Sequence, residues 1–170
     1  MTNHFNALAP IERWRRNHAL EHATLHVLNT TNPSLRLAGM SDFRGFWVVG
    51  SVDTGDLQLA VDDGLARLQA GERKLATHPN CGTNYAVWGL FASLTAWLCM
   101  AGAGRNLRSR LERLPLMVSL VTLTLILTQP LGPMVQERLT TQPDLGGMRV
   151  VAITYYPHRQ TGMHRVETRF

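Results

Sequence analysis

The chain has 170 residues, a net charge of +5 and two cysteines, Cys81 and Cys99. This length suits one modest domain, and two cysteines exclude a disulfide framework. The basic residues are spread along the chain without an aromatic-interleaved patch. This distribution argues against nucleic-acid binding and favours contacts with lipid head groups.

The first predicted element is a helix from Pro10 to about Asn29. At about 100° per residue, His18 and His22 project about 40° apart on this helix, and Glu21 lies beside them. The same side carries the apolar residues Ile11, Trp14 and Leu25. We therefore expect a buried face, on which imidazoles and a carboxylate need a metal ion or a closed hydrogen-bond network.

The remaining polar parts of the chain predict a small α+β domain. Two strands are predicted at 35–40 and 46–52, a second helix from Asp53-Thr54 to about Gly71, and two further strands at 148–156 and 163–170. The first two strands and the last two suit hairpins, because short polar links join them. The prediction is a mostly antiparallel sheet with two helices.

Two long uncharged segments interrupt this domain. They predict membrane spans at about 85–104 and 115–134, since about 20 apolar residues cross the hydrocarbon core of a bilayer. A hairpin of two spans returns the chain to the side it left. The predicted organisation is therefore an α/β part at 1–84, a transmembrane hairpin at 85–136 and C-terminal strands at 137–170 that complete the α/β domain.

Two signals on orientation in the membrane oppose each other. Four arginines in the link 105–113 favour a cytoplasmic link. The N-terminus lacks the pattern of a cleavable signal peptide, which favours a cytoplasmic globular part instead. We expect an integral membrane protein with its globular part in the cytoplasm. Its expected partners are the lipid bilayer and a membrane protein or a second copy of the chain.

The spacing His18-x-x-Glu21-His22 resembles the inverted zincins, the pitrilysin type of metallopeptidase. That resemblance implies zinc bound by the two histidines, with Glu21 as the catalytic proton-transfer group. His78 and Cys81 are the candidate further ligands, because both residue types bind zinc and lie three residues apart in a tight turn. His26 is expected to be an outer group near the site.

Two segments, Arg15–Thr24 and His78–Asn84, together resemble an uncharacterised family of bacterial membrane proteins. The resemblance implies a membrane location and a shared His/Glu/Cys site. Three functional hypotheses remain open: a zinc-dependent hydrolase, a non-catalytic assembly or accessory protein with a structural metal or buried polar cluster, and a weaker one, a transporter. The transporter is disfavoured because neither span carries an ionisable residue other than Cys99.

The histidine segments also have simpler structural interpretations. The cluster of His18, Glu21 and His22 fits a hydrogen-bonded group that fixes the helix against the sheet or against the turn at Cys81. The segment 78–84 fits a helix start with Thr83 or Asn84 as N-cap. His158 and His164 flank a predicted turn, where we expect them to be solvated.

Overall fold

The computed structural model describes residues 9–104, 106–157 and 161–170. Its elements are α1 (Ala9–Thr31), β1 (Ala38–Asp42), β2 (Gly45–Val49), α2 (Thr54–Gln69), α3 (Gly82–Met100), α4 (Leu107–Thr128), α5 (Leu131–Val135), β3 (Arg149–Tyr156) and β4 (Met163–Arg169). A 3-10 turn covers Arg73–Ala76, and a π-helical turn covers Gln136–Thr140. Arg105 of the predicted link and His158 lie outside the described residues.

The chain divides into two compact units. The first comprises Met1–His78 and Glu137–Phe170, within the described residues, and the second comprises Pro79–Gln136. The first unit contains every strand of the described sheet together with α1 and α2. The α+β class and the small antiparallel sheet predicted from the sequence are confirmed.

The sheet has the strand order β1-β2-β4-β3, and every neighbouring pair is antiparallel. β1 and β2 form a tight hairpin in which the Asp42 carboxylate accepts the backbone N–H of Arg44 at 2.7 Å. Gly45 opens β2 with φ 149°, and a Cβ there would overlap the carbonyl oxygen of Val166. A glycine is therefore required where β2 meets β4.

The core of the first unit lies between one sheet face and the two long helices. Phe46, Val48 and Val166 alternate along β2 and β4 and are fully buried. Leu20 of α1 and Leu57 of α2 complete the same cluster. α2 begins where predicted, because the Asp53 carboxylate caps its first turn by accepting the N–H of Gly55 at 2.7 Å.

In the second unit, α3 and α4 pack as an antiparallel pair. The Trp88 indole donates to the carbonyl of Thr128 at 3.1 Å, and the hydroxyls of Thr95 and Thr124 lie 2.9 Å apart. These contacts place the start of α3 beside the end of α4. At this end, the buried Gln136 amide donates to the Asn84 side chain, which itself donates to a backbone carbonyl at 2.7 Å.

Only one of the two predicted membrane spans is supported. Among the described helices, α4 alone is long and apolar enough to cross a membrane. α3 has 19 residues but begins with Gly-Thr-Asn, which lowers its mean hydropathy. The second predicted span also ends too late, because α4 stops at Thr128 and Pro130 lies between it and α5.

Candidate metal centre

The candidate centre lies on the middle of α1. Every residue from Asn17 to Leu25 is buried, because α2, β1 and the 3-10 turn surround this part of the helix. Trp14 is only half-buried, and Ile11 is 54% exposed. The expectation that Ile11 shares the buried face is therefore wrong: the first turn of α1 extends beyond the elements that cover the middle.

His18 and His22 lie side by side on this buried segment. Their ring centroids are 4.3 Å apart, and each offers a ring nitrogen within 4.8 Å of the other. Two ligand nitrogens of one tetrahedral zinc ion lie about 3.3 Å apart, given Zn–N bonds of about 2.0–2.1 Å. The two imidazoles therefore need only a small adjustment to share an ion.

Backbone carbonyls fix the orientation of both rings. Nδ1 of His18 lies 2.9 Å from the carbonyl oxygen of Thr140, and Nδ1 of His22 lies 2.7 Å from that of Ala76. A carbonyl oxygen only accepts, so Nδ1 carries the proton in each ring and the lone pair of the neutral ring lies on Nε2. Metal-bound histidines commonly donate their other N–H in this way.

The environment favours neutral imidazoles, which are the form that binds metal. Burial, and next the neighbouring His18, lower the pKa of His22 to about 3. Burial, followed by the charge of His26, lowers the pKa of His78 to about 4. Both rings are therefore uncharged at neutral pH.

His78 and His26 extend the cluster within the same unit. The His78 ring centroid lies 5.7 Å from that of His22 and 4.8 Å from that of His26. His26 in turn donates its Nε2–H to the carbonyl of Thr77 at 2.7 Å. The fold thus brings His78, distant in sequence, next to the helix that carries His18, His22 and His26.

Glu21 points towards the sheet. Its carboxylate accepts the hydroxyl of Ser41 and lies so close to Gly39 that a Cβ at that position would overlap it. Burial raises the pKa of Glu21, while the Ser41 hydrogen bond and the nearby His18 act in the opposite direction. A carboxyl group with a raised pKa beside His18 is suited to proton transfer.

Cys81 belongs to the second unit, and its role as a ligand stays a prediction. It is the N-cap of α3, and its sulfur accepts the N–H of Thr83 at 3.4 Å. The prediction that Thr83 or Asn84 is the N-cap is therefore wrong, because the helix begins at Gly82. Asn84 instead bonds the carbonyl of Pro79 at 2.7 Å.

The expectation that His164 is solvated is also wrong. β4 is an inner strand of the sheet, and His164 shares the buried face with Val166. Nε2 of His164 lies 3.0 Å from the hydroxyl oxygen of Thr54, and its ring packs on Tyr155. The sequence indicates this burial, because His164 and the apolar Val166 are two residues apart and face the same side of the strand.

Comparisons with known proteins give a family and a relative. Residues 13–153 match the family model described as Domain of unknown function (DUF6391). An uncharacterised protein of Picosynechococcus sp. (strain ATCC 27264 / PCC 7002 / PR-6) is 36% identical over 136 residues, which cover 75% of this chain and 65% of that protein. The match thus spans less than two thirds of the relative. No solved structure matches the chain significantly.

Proposed function

We propose a function for this chain, which belongs to the DUF6391 family: it is a membrane-anchored, zinc-dependent hydrolase. The observation that carries the proposal is the pair His18 and His22. Their ring nitrogens lie within 4.8 Å of each other, and each ring donates its Nδ1–H to a carbonyl oxygen. A buried pair held in this tautomer is prepared to bind a metal ion through Nε2.

The proposed ligands are His18, His22 and His78, all of the first unit. Imidazole nitrogen is a preferred ligand of zinc, and three protein ligands with an open fourth position are typical of catalytic sites. The sequence adds Cys81 as a further candidate, because it follows His78 by three residues. Its part in the site is tested below by substitution.

Glu21 is the proposed proton-transfer group. When bound, zinc polarises a carbonyl or phosphoryl group and makes water a better nucleophile. Glu21 takes the proton that the attacking water loses and returns it to the leaving group. Its raised pKa supports this role. A carboxyl group transfers protons more efficiently as its pKa moves closer to the working pH. Ser41 and Gly39 hold the carboxylate in place.

The proposed anchor is the pair α3 and α4. We infer that α3, although less apolar than α4, crosses beside it, because the chain before α3 and the chain after α5 both belong to the first unit, which we place in the cytoplasm. α4 meets the length and hydropathy needed for a span. Leu90 and Trp97 of α3, and Leu116 and Ile126 of α4, are more than half exposed. An apolar surface of this kind needs lipid or protein to cover it.

A second candidate function is a non-catalytic assembly or accessory protein with a structural metal or a hydrogen-bonded histidine cluster. The observation that favours it is burial: His22 is 1% exposed and Glu21 is 5% exposed. Structural metal sites are closed, whereas a catalytic site needs access for water and substrate. In this case the anchor would bind a membrane protein or a second copy of the chain.

Metal content and hydrolysis of the detergent-purified chain separate these functions. The hydrolase requires about one zinc per chain, because the part of the chain that the structure describes holds one cluster of candidate ligands. His22→Asn should lose the metal, since two remaining ligands rarely hold zinc. Leu20→Ala is the matched control, because Leu20 is buried in the same turn of α1 but cannot bind metal. Cys81→Ser tests the ligand predicted from sequence.

Hydrolysis is then measured on a panel of fluorogenic peptides and nitrophenyl esters. Glu21→Gln should keep the zinc and lose the activity, whereas Glu12→Gln, on the exposed first turn of the same helix, should keep both. Full zinc in His22→Asn would disprove the ligand assignment. Zinc without hydrolysis in the wild type would favour the structural metal, and absence of zinc would favour the hydrogen-bonded cluster.

A further inference from the structure

A polar cavity of about 380 Å³ lies in the first unit. Six of the residues that line it carry polar side chains: Arg73, Lys74, Thr77, Glu137, Thr141 and Gln142. The 3-10 turn Arg73–Ala76 contributes one wall, and the segment from Glu137 onwards contributes the other. Its volume falls within the range of small-molecule sites, about 300–1,000 Å³.

The charge of this cavity favours an anion. Arg73 and Lys74 are adjacent and exposed, and Glu137 is the one acidic residue of the lining. Among the described residues, none of the ion pairs within 4 Å involves any of these three side chains. The two cations are therefore not neutralised by neighbouring carboxylates.

The lining also supplies the donors that a phosphate group needs. A guanidinium group binds two phosphate oxygens through parallel N–H bonds, and an ammonium group adds a point charge. Gln142 contributes an amide. Three donor-bearing side chains on one cavity match the several acceptor oxygens of a phosphate better than the two oxygens of a carboxylate.

The cavity adjoins the histidine cluster through the backbone. Its walls include Ala76 and Thr77, whose carbonyls accept the ring N–H groups of His22 and His26. The opposite wall includes Thr141. The preceding residue, Thr140, accepts the Nδ1–H of His18 through its carbonyl. A ligand in the cavity would thus lie beside the two segments whose carbonyls hold the imidazoles.

We propose that this cavity binds the phosphate group of a ligand, through Arg73 and Lys74. The phosphate belongs either to a free phosphorylated molecule or to a phospholipid head group, since both present the same chemistry. This inference does not depend on a bound metal or on hydrolysis. If both sites function, the phosphate group anchors the ligand beside the histidines.

The test has two arms, both on the full chain in phosphate-free detergent. Inorganic phosphate is titrated by calorimetry, and retained phosphatidylglycerol is counted by native mass spectrometry. The double variant Arg73→Gln/Lys74→Gln should weaken binding at least tenfold in one arm. Arg149→Gln is the control, because it removes one exposed charge at the start of β3, outside the cavity lining.

The outcome identifies the source of the phosphate. If the double variant loses only the calorimetric binding of phosphate and keeps its lipid, the cavity belongs to a free phosphorylated ligand. Loss of retained lipid alone would assign it to a phospholipid. Equal weakening in Arg149→Gln, or no binding in either arm, would overturn the proposal. Neither result depends on zinc, so failure of the phosphate-binding proposal can be distinguished from failure of the hydrolase proposal.

Discussion

Acidification of the metal-free protein should lower its free energy of unfolding, because His22 and His78 are buried as neutral rings. The pKa of His22 is about 3 and that of His78 is about 4 in the folded chain, against about 6.5 in an unfolded chain. Below pH 6.5 the unfolded chain binds protons that the folded chain does not. The free energy of unfolding is therefore unaffected by these two histidines above about pH 6.5. It decreases as the pH falls from about 6.5 towards the pKa values of the two rings in the folded chain.

The size of the effect follows from the proton uptake of the unfolded chain. Between pH 7.5 and pH 5.0, each histidine lowers the free energy of unfolding by about 2 kcal/mol. The loss is about 1.4 kcal/mol for each pH unit below the pKa of the histidine in the unfolded chain. The two together cost about 4 kcal/mol, a large share of the 5–15 kcal/mol that is typical of folded proteins. Glu21 acts in the opposite direction, because its pKa is raised in the folded chain.

The variant His22→Asn isolates the contribution of His22 to the pH dependence from those of His78 and Glu21. His22→Asn removes the titrating ring and keeps an amide donor for the carbonyl of Ala76. Urea unfolding is followed by tryptophan fluorescence in mild detergent with EDTA, at pH 7.5 and pH 5.0. The pH-dependent loss should be about 2 kcal/mol smaller in His22→Asn than in the wild type. An equal loss in both proteins would refute the assignment of a buried neutral His22.

Two further predictions concern the support of the site and of the fold. Gly39→Ala places a methyl group where the Glu21 carboxylate lies. The variant should lower the free energy of unfolding by about 1–3 kcal/mol. An unchanged midpoint of urea unfolding would contradict this packing. Asp53→Ala removes the N-cap of α2 and should cost about 1 kcal/mol. Asp56→Ala, in the same turn, leaves the cap in place, so an equal cost in both variants would contradict the capping role.

The sequence was sufficient to predict α1, α2 and the four strands of the first unit, although the first strand lies at Ala38–Asp42 instead of 35–40. Pro10 marked the start of α1, Asp53 marked the cap of α2, and β-branched runs marked the last two strands. The short polar links within the first and the last pair of strands also predicted an antiparallel sheet built from both ends of the chain. These features are local, so the spacing of residues within one element determines them.

The partners of the histidines could not be predicted in the same way. His18 and His22 bond backbone carbonyls of Thr140 and Ala76, and a backbone carbonyl leaves no signature in side-chain identity. The sequence predicts that Ser41 belongs to the polar link between the first two strands, whereas it lies in β1 and its hydroxyl donates to Glu21. Contacts between elements depend on packing, which periodicity within one element does not specify.

The carbonyls that hold the imidazoles come from two segments that flank the second unit in chain order. Ala76 and Thr77 precede Pro79–Gln136, and Thr140 follows it. Each carbonyl fixes a ring tautomer at 2.7–2.9 Å, and a metal ion would then meet nitrogens whose lone pairs are already directed. The geometry of the proposed centre is therefore determined by the backbone path of these two segments, as well as by the spacing of histidines on α1.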